Sequence, residues 1–138
     1  MDRYNAEGYP DPTAAEALAN VSRQEKKKST APCVFICSPF AGDTRINLDK
    51  ARQYLQFAVG RGVVPFAPHL LYPQVLEDQD AAQRKQGLFF GLVWLRKCDE
   101  VWVFGKTISS GMRAEIDDAK KHRIPVRYFT QDCEEVQV

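Results

Sequence analysis

The sequence predicts an α/β protein, a three-layer αβα sandwich around a doubly wound, mainly parallel sheet of four to five strands. From Ala31 onward, short apolar runs alternate with longer segments whose apolar residues recur at three- and four-residue steps. Strand-helix alternation of this kind is typical of Rossmann-like and flavodoxin-like sheets with right-handed crossovers. A chain of 138 residues with 44% hydrophobic residues also suits one such domain, which buries roughly 68% of its unfolded surface.

The apolar runs and the amphipathic segments assign the elements in order. The predicted strands are Val34–Cys37, Val63–Phe66, Glu100–Phe104 and Pro125–Phe129. The predicted helices run from Thr44 to just before Gly60, from Ala81 to Lys97, and onward from the turn Ser109–Gly111. Pro65 places the second strand at an edge of the sheet, because proline cannot donate to a strand ladder. The prolines of Ala67–Pro73 predict a long, non-helical connection after that strand.

Residues 1–30 are predicted to be a helical lead-in or arm, and residues 31–138 the α/β domain. Thr13 followed by Glu16 resembles a capping box that starts a helix reaching Lys28. Leu18 and Val21 are too few to give this helix a deep apolar stripe. An oligomer contact and a cover over the site both stay open as roles for the segment.

Composition argues against several classes of function. The net charge is +1, and the one basic cluster, Lys26–Lys28, reads as a solvated face, so a nucleic acid polymer is not an expected partner. No signal peptide or membrane-length apolar run is visible, which predicts a cytoplasmic protein without a membrane partner. The four cysteines form no Cys-x-x-Cys pair, and no metal or organic cofactor is expected. Cys33 and Cys37 are expected to be buried on one face of the first strand.

Three loops follow the first three strands and therefore share one edge of the predicted sheet, where α/β proteins bind ligands. The candidate binding residues of the first loop and the helix after it are Ser38, Phe40, Gly42, Asp43 and Arg45. The second loop contributes His69, and the third contributes Ser109, Ser110 and Gly111 before a helix that contains Glu115. Backbone N–H groups at a helix start favour an anion, and the helix dipole is expected to keep Glu115 ionised.

Each candidate also has an ordinary structural interpretation. Gly42 relieves backbone strain while Asp43 or Thr44 caps a helix. His69 is a packed, hydrogen-bonded histidine, and Glu115 is a surface carboxylate. Asp99 precedes its strand, lies at the opposite edge of the sheet, and is predicted to be a structural cap or turn residue.

Three landmarks carry a resemblance to the nucleoside 2-deoxyribosyltransferase-like superfamily over residues 33–130. They are Phe35–Ser38 before a glycine loop, the helix through Trp94 to Cys98–Val101, and Ser109–Glu115. The chain is similar to the branch that hydrolyses deoxynucleoside 5′-monophosphates at the N-glycosidic bond. Ala67–Pro73 and Cys98–Gly105 resemble a small bacterial family within the superfamily, DUF4406.

The resemblance implies roles for particular residues. A glutamate placed as Glu115 is the nucleophile on the anomeric carbon of the sugar. Ser38 and Ser109 match hydroxyls that hold the 5′-phosphate, whereas the transferase branch has an aspartate at the position of Ser109. The expected partner is therefore a small nucleotide or nucleoside, and related sites imply a homo-oligomer.

One departure divides the functional hypotheses. The superfamily has an aspartate that handles the base where this chain has Gly91. His69, Asp78, or the neighbouring carboxylates Glu77 and Asp80 replace it only if the long loop folds over the pocket. An N-glycosidase or deoxyribosyltransferase is the first hypothesis, and a nucleotide-binding module with weak or no catalysis is the second.

Overall fold

The computed structural model describes residues 14–18 and 31–137. Residues 14–18 form a short helical segment, and the chain from Pro32 onward forms a separate compact unit. Thr13 of the predicted capping box, Val21 and the Lys26–Lys28 cluster lie outside the described residues. The role of the lead-in stays a prediction.

The unit from Pro32 onward is built on one five-stranded sheet. Its strands are β1 (Cys33–Cys37), β2 (Val64–Phe66), β3 (Glu100–Phe104), β4 (Val126–Phe129) and β5 (Glu135–Val136). The spatial order is β2-β1-β3-β4-β5, with the first four strands parallel and β5 antiparallel to β4. The predicted α/β fold is confirmed, and β2 with its Pro65 lies at an edge.

Three helices cover the two faces of the sheet. They are α1 (Thr44–Gly60), α2 (Ala81–Leu95) and α3 (Ser110–Lys121). Tyr54 and Ala58 of α1 pack on one face, and the core residues of α2 and α3 pack on the other. The described part of the chain contains no helix with the length and apolar character needed to cross a membrane.

A side-chain acceptor starts each helix at the position that the sequence indicates. Asp43 Oδ1 accepts from the N–H of Ile46 at 3.2 Å, and Asp80 Oδ1 accepts from the N–H of Ala82 at 2.9 Å. Ser109 Oγ accepts from the N–H of Met112 at 3.2 Å. These caps satisfy backbone donors that have no partner within a helix, and they fix where each loop ends.

The structure departs from the sequence expectations at two points. The connection after β2 contains two single-turn 3₁₀ helices, Pro68–Leu70 and Tyr72–Gln74, each with a proline in its first two positions. Proline lacks an N–H but is tolerated at a helix start, so its presence excluded only longer helices. Cys37 is buried as expected, but Cys33 is exposed because it is the first residue of its strand.

Asp99 joins β1 to β3 at the edge of the sheet opposite the loops. Its Oδ2 accepts from the N–H of Cys33 at 2.7 Å, and its own N–H donates to the Cys33 carbonyl at 2.7 Å. The prediction of a structural role for Asp99 is confirmed.

We expect Asp99→Ala to lower the free energy of unfolding by about 1 kcal/mol, because it removes one side-chain hydrogen bond between strands. Urea unfolding followed by circular dichroism measures the difference. Asp117→Ala is the matched control, since Asp117 is exposed on α3 and makes no side-chain hydrogen bond within the described ranges. Equal stability of the two variants would contradict the assignment.

Candidate active site

A cavity of about 570 Å³ lies beside the carboxyl ends of the parallel strands. Its wall is formed by the loop after β1, the 3₁₀ turns after β2, one side of α2 and the first turns of α3. Volumes of roughly 300–1,000 Å³ are typical of sites for small organic ligands. The strand order reverses between β1 and β3, and the cavity occupies the crevice that this reversal opens.

Glu115 is the buried carboxyl group of this cavity. Its side chain is 4% exposed and lies on α3, in the second turn of the helix. A Cβ atom built at Gly91 of α2 would lie 3.7 Å from Glu115 Oε2. That Cβ atom would also lie 3.9 Å from Phe35 Cζ and from Pro68 Cβ, so the absence of a side chain at position 91 lets α2 pack closely beside the carboxyl group.

Burial raises the pKa of Glu115 from 4.5 to about 8. The carboxyl group of the empty site is thus mostly protonated at neutral pH, and the expectation that the helix dipole keeps it ionised is wrong. The dipole acts mainly within the first turn of a helix, whereas Glu115 lies in the second. Loss of hydration therefore outweighs the dipole at this position.

Cys37, at the end of β1, is the side chain that most directly opposes this shift. A hydrogen bond from its thiol lowers the pKa of Glu115 and offsets part of the effect of burial. The thiol also lies 3.9 Å from the Met112 carbonyl oxygen, and its single proton serves one acceptor at a time. Burial, followed by the charge of Glu115, raises the pKa of Cys37 well above 9.0, so the thiol stays a donor.

The start of α3 provides a place for an anion in the same cavity. Ser109, Ser110 and Gly111 all line it. The Ser109 side chain caps the helix, and the structure shows no acceptor among the described residues for the N–H groups of Ser110 and Gly111. Free N–H groups and the positive end of the dipole favour a phosphate or carboxylate at this point.

Two cations of the cavity wall were missed by the sequence analysis. Arg84 and Lys85 on α2 both line the cavity. Arg84 lies four residues before Leu88 and seven before Gly91, so helical periodicity places it on the side that faces the site. The sequence analysis used that periodicity only for apolar residues, which is why the arginine was overlooked.

The long connection after β2 does fold against the cavity. Asp78 and Tyr72 line it, and the Tyr72 hydroxyl accepts a hydrogen bond from Trp94 Nε1 at 2.6 Å. Of the two neighbouring carboxylates, Glu77 does not line the cavity, and Asp80 caps α2. Asp78 is the loop carboxylate that reaches the wall.

His69 lines the cavity as a fixed, neutral ring. Its Nε2–H donates to the Ser38 carbonyl at 2.8 Å, and its ring packs in a tilted arrangement against Phe40, with the ring centroids 5.1 Å apart. Burial lowers the pKa of His69, although the Ser38 carbonyl and the charge of Asp78 act in the opposite direction. This arrangement makes His69 a poor proton donor and fits the structural interpretation of a packed histidine.

The first loop contributes fewer of its predicted residues than the third. Phe40 lines the cavity, but Ser38, Gly42, Asp43 and Arg45 do not. Ser38 is buried at 2% exposure, Gly42 has a φ of 100°, and Asp43 caps α1. The placement does not support a role for these four in holding phosphate. Within the described ranges, no three His, Cys, Asp or Glu side chains are grouped so as to hold a metal ion.

The architecture is that of an α/β protein, and its fold is like that of a nucleoside 2-deoxyribosyltransferase. One similar solved structure is the 2-deoxyribosyltransferase of the psychrotolerant bacterium Bacillus psychrosaccharolyticus, with a TM-score of 0.60 and 18% sequence identity. The likeness covers 76% of this chain and 77% of that enzyme, and at this identity it shows the fold.

Residues 32–129 match the family model described as a domain of unknown function, DUF7768. The chain belongs to that family, and the expected assignment to DUF4406 is corrected accordingly. A search of curated proteins finds no match.

We expect the protein to lose stability as pH rises from 4.5 to 8. In that window the unfolded chain has released the Glu115 proton while the folded protein retains it. The total is roughly 5 kcal/mol, from 1.36 kcal/mol per unit of pKa difference. Urea unfolding of the native chain and of Glu115→Gln should agree near pH 4.5, with the variant more stable by pH 8.5. Parallel pH profiles would show that the carboxyl group is hydrated.

Proposed function

We propose that the protein cleaves the N-glycosidic bond of a deoxynucleoside or nucleoside 5′-monophosphate, with Glu115 as the nucleophile. One observation carries the proposal: a nearly inaccessible carboxyl group shares a nucleotide-sized cavity with the uncapped N–H groups of a helix start. Strongly shifted carboxyl groups in a cleft are typical of catalytic residues.

The cavity wall suggests how such a substrate is oriented. The 5′-phosphate lies at the N–H groups of Ser110 and Gly111, where Arg84 and Lys85 supply positive charge. The sugar lies over Glu115, in the cavity that both Glu115 and Gly91 line.

The base then extends toward the remaining wall of the cavity. Phe40 and Tyr72 offer aromatic surfaces for stacking, and Asp78 offers a carboxylate that can hydrogen-bond a base. In this orientation Asp78 takes the place of the acidic residue that the resemblance expects at position 91.

The reaction proceeds through a covalent sugar intermediate. A carboxylate oxygen of Glu115 bonds to C1′ while the C1′–N bond breaks, and the electron pair of that bond passes to the base. The base takes up a proton from solvent. Water then attacks C1′, the ester bond breaks, Glu115 is released as a carboxylate, and the proton of the water passes to solvent. Entry of a second base in place of water gives base transfer, and both outcomes stay open.

Glu115 must lose its proton before it can attack. With a pKa of about 8, roughly a tenth of the empty sites carry the carboxylate at pH 7. The positive charge that develops on the sugar favours the ionised form, and so does the hydrogen bond from Cys37. The carboxyl group of Glu115 is therefore mostly neutral in the empty site, and its ionised form is favoured as positive charge develops on the sugar.

A nucleotide-binding module with weak or no catalysis is the second candidate. Gly91 favours it, because the position facing Glu115 carries no acid for the leaving base. The lowered pKa of His69 and its hydrogen bond to the Ser38 carbonyl also favour the binding module, because they make His69 a poor proton donor for the leaving base. The small-molecule partner belongs to both candidates, and homo-oligomeric assembly and a cytoplasmic location stay predictions.

We expect release of free base from a deoxynucleoside monophosphate to fall at least a thousandfold in Glu115→Gln, because the amide cannot form the sugar ester. Chromatography of the freed base measures it. Below pH 8 the native kcat/KM should rise about tenfold per pH unit, since the nucleophile is the carboxylate. Asp117→Asn, on the exposed side of the same helix, is the control and should match the native chain.

The outcomes separate the candidates. Base release that survives in Glu115→Gln rules out the nucleophile, and a rate that falls as pH approaches 8 assigns Glu115 the role of an acid instead. Saturable nucleotide binding without any base release favours the binding module.

The phosphate assignment has its own test in Ser109→Asp. Aspartate also caps helices, so the variant keeps the start of α3 while adding a negative charge beside the proposed phosphate position. We expect the dissociation constant for a nucleoside monophosphate to rise at least tenfold and that for the matching nucleoside to change less than twofold, as measured by calorimetry. Ser109→Thr is the neutral control. Equal effects on both ligands would count against the assignment.

A further inference from the structure

A second, smaller cavity lies on the opposite face of the sheet from α2 and α3. It has a volume of about 140 Å³ and is bounded by α1, by Pro39 after β1 and by Gly105–Thr107 after β3. Neither the proposed chemistry nor the resemblance uses these residues. The cavity sits at the same switch point as the larger one, but on the side of α1.

Its polar lining is dominated by donors and positive charge. Lys50, on α1, and Lys106, after β3, both line it, together with the side chains of Asn47 and Gln131. Lys50 Nζ donates to Gln131 Oε1 at 3.0 Å, which holds the ammonium group at the cavity. Neither aspartate nor glutamate is among the lining residues.

Tyr54 adds a hydroxyl group to the lining of this cavity. Its side chain is 2% exposed and stacks on Phe104 with ring centroids 4.2 Å apart, yet it lines the cavity. The structure shows no hydrogen-bond partner for its hydroxyl among the described residues. Within the described residues no buried polar side-chain atom lacks a partner, so this hydroxyl is open to the cavity and can donate to a ligand there.

The charges around Tyr54 indicate which kind of ligand the cavity favours. Burial raises the pKa of Tyr54, followed by smaller effects of Cys133 and Asp132, so the hydroxyl is a neutral donor. Asp132 is the carboxylate whose charge contributes to this rise in the pKa of Tyr54, and its side chain is exposed. Lys50 and Lys106 line the cavity whereas Asp132 does not, so the charge of the lining is positive.

We propose that this second cavity binds a phosphate-sized oxyanion, held by Lys50, Lys106 and the Tyr54 hydroxyl. Its volume is well below the roughly 300–1,000 Å³ of sites for organic ligands, so a free anion fits where a nucleotide does not. Tetrahedral oxyanions accept several hydrogen bonds at once, which matches a lining of ammonium, amide and hydroxyl donors.

One loop separates the two cavities. Asn47 Nδ2 donates to the carbonyl oxygens of Phe40 and Ala41, both at 3.0 Å. Pro39 and Asn47 line the small cavity, whereas Phe40 and Ala41 line the large one. The anion site therefore lies behind the wall of the nucleotide cavity and does not depend on the chemistry proposed for Glu115.

Titration of the ¹⁵N-labelled protein with inorganic phosphate tests the proposal. We expect saturable shifts of the Gly105 and Lys106 amide resonances. The dissociation constant from these resonances should rise at least tenfold in Lys50→Ala and severalfold in both Lys106→Ala and Tyr54→Phe. Lys97→Ala removes an exposed lysine outside both cavities and should leave the constant unchanged. Circular dichroism and the unfolding midpoint without phosphate verify that each variant is folded.

Further titrations distinguish phosphate bound in the small cavity from phosphate or nucleotide bound in the large one. Arg84→Ala and Ser109→Asp should leave the Gly105 and Lys106 shifts intact, and a nucleoside monophosphate should move Ser110 and Gly111 instead. The proposal is overturned if phosphate leaves Gly105 and Lys106 unmoved, if Arg84→Ala abolishes their shifts, or if the nucleotide moves them as strongly as phosphate does. None of these results bears on base release, which is measured separately with Glu115→Gln.

Discussion

The reversal of strand order between β1 and β3 is the constraint on which the rest of the structure depends. From β1 the chain crosses to one face through α1, and from β2 and β3 it crosses to the other through α2 and α3. When the connections of two neighbouring strands leave toward opposite faces of the sheet, a crevice stays open at the carboxyl ends of those strands. Both cavities occupy that space, one on each side of the loop at residues 39–41.

Glu115 is buried although burial disfavours the charged form of a carboxyl group. A carboxyl group at 4% exposure favours the neutral form, and only the Cys37 thiol offsets the effect of burial. A residue that destabilises its folded protein near neutral pH has no structural advantage over glutamine at the same position. Functional sites are where such conflicts between local stability and side-chain chemistry are expected.

The sequence was sufficient for the fold and for the third loop, but not for the first. Apolar periodicity located α1, α2, α3 and the four parallel strands, because that signal is local, but it did not reveal the two 3₁₀ helices after β2. Ser109–Gly111 and Glu115 share a cavity since they belong to one helix start. Ser38 does not line it, because the burial of a residue directly after a strand depends on tertiary contacts such as the His69 hydrogen bond. β5 is two residues long and antiparallel, and it leaves no periodic signal.

The hydrogen bond between Trp94 and Tyr72 also gives the molecule an optical property. The chain has two tryptophans: Trp94 is 44% exposed and bonded to a tyrosine of the large cavity, whereas Trp102 is 1% exposed beneath Arg127. Solvent-exposed indoles emit at longer wavelengths than buried ones, so the fluorescence of Trp94 and that of Trp102 can be distinguished. Because Tyr72 lines the cavity and bonds to Trp94, the emission of the exposed indole is the intrinsic signal expected to respond to a ligand there.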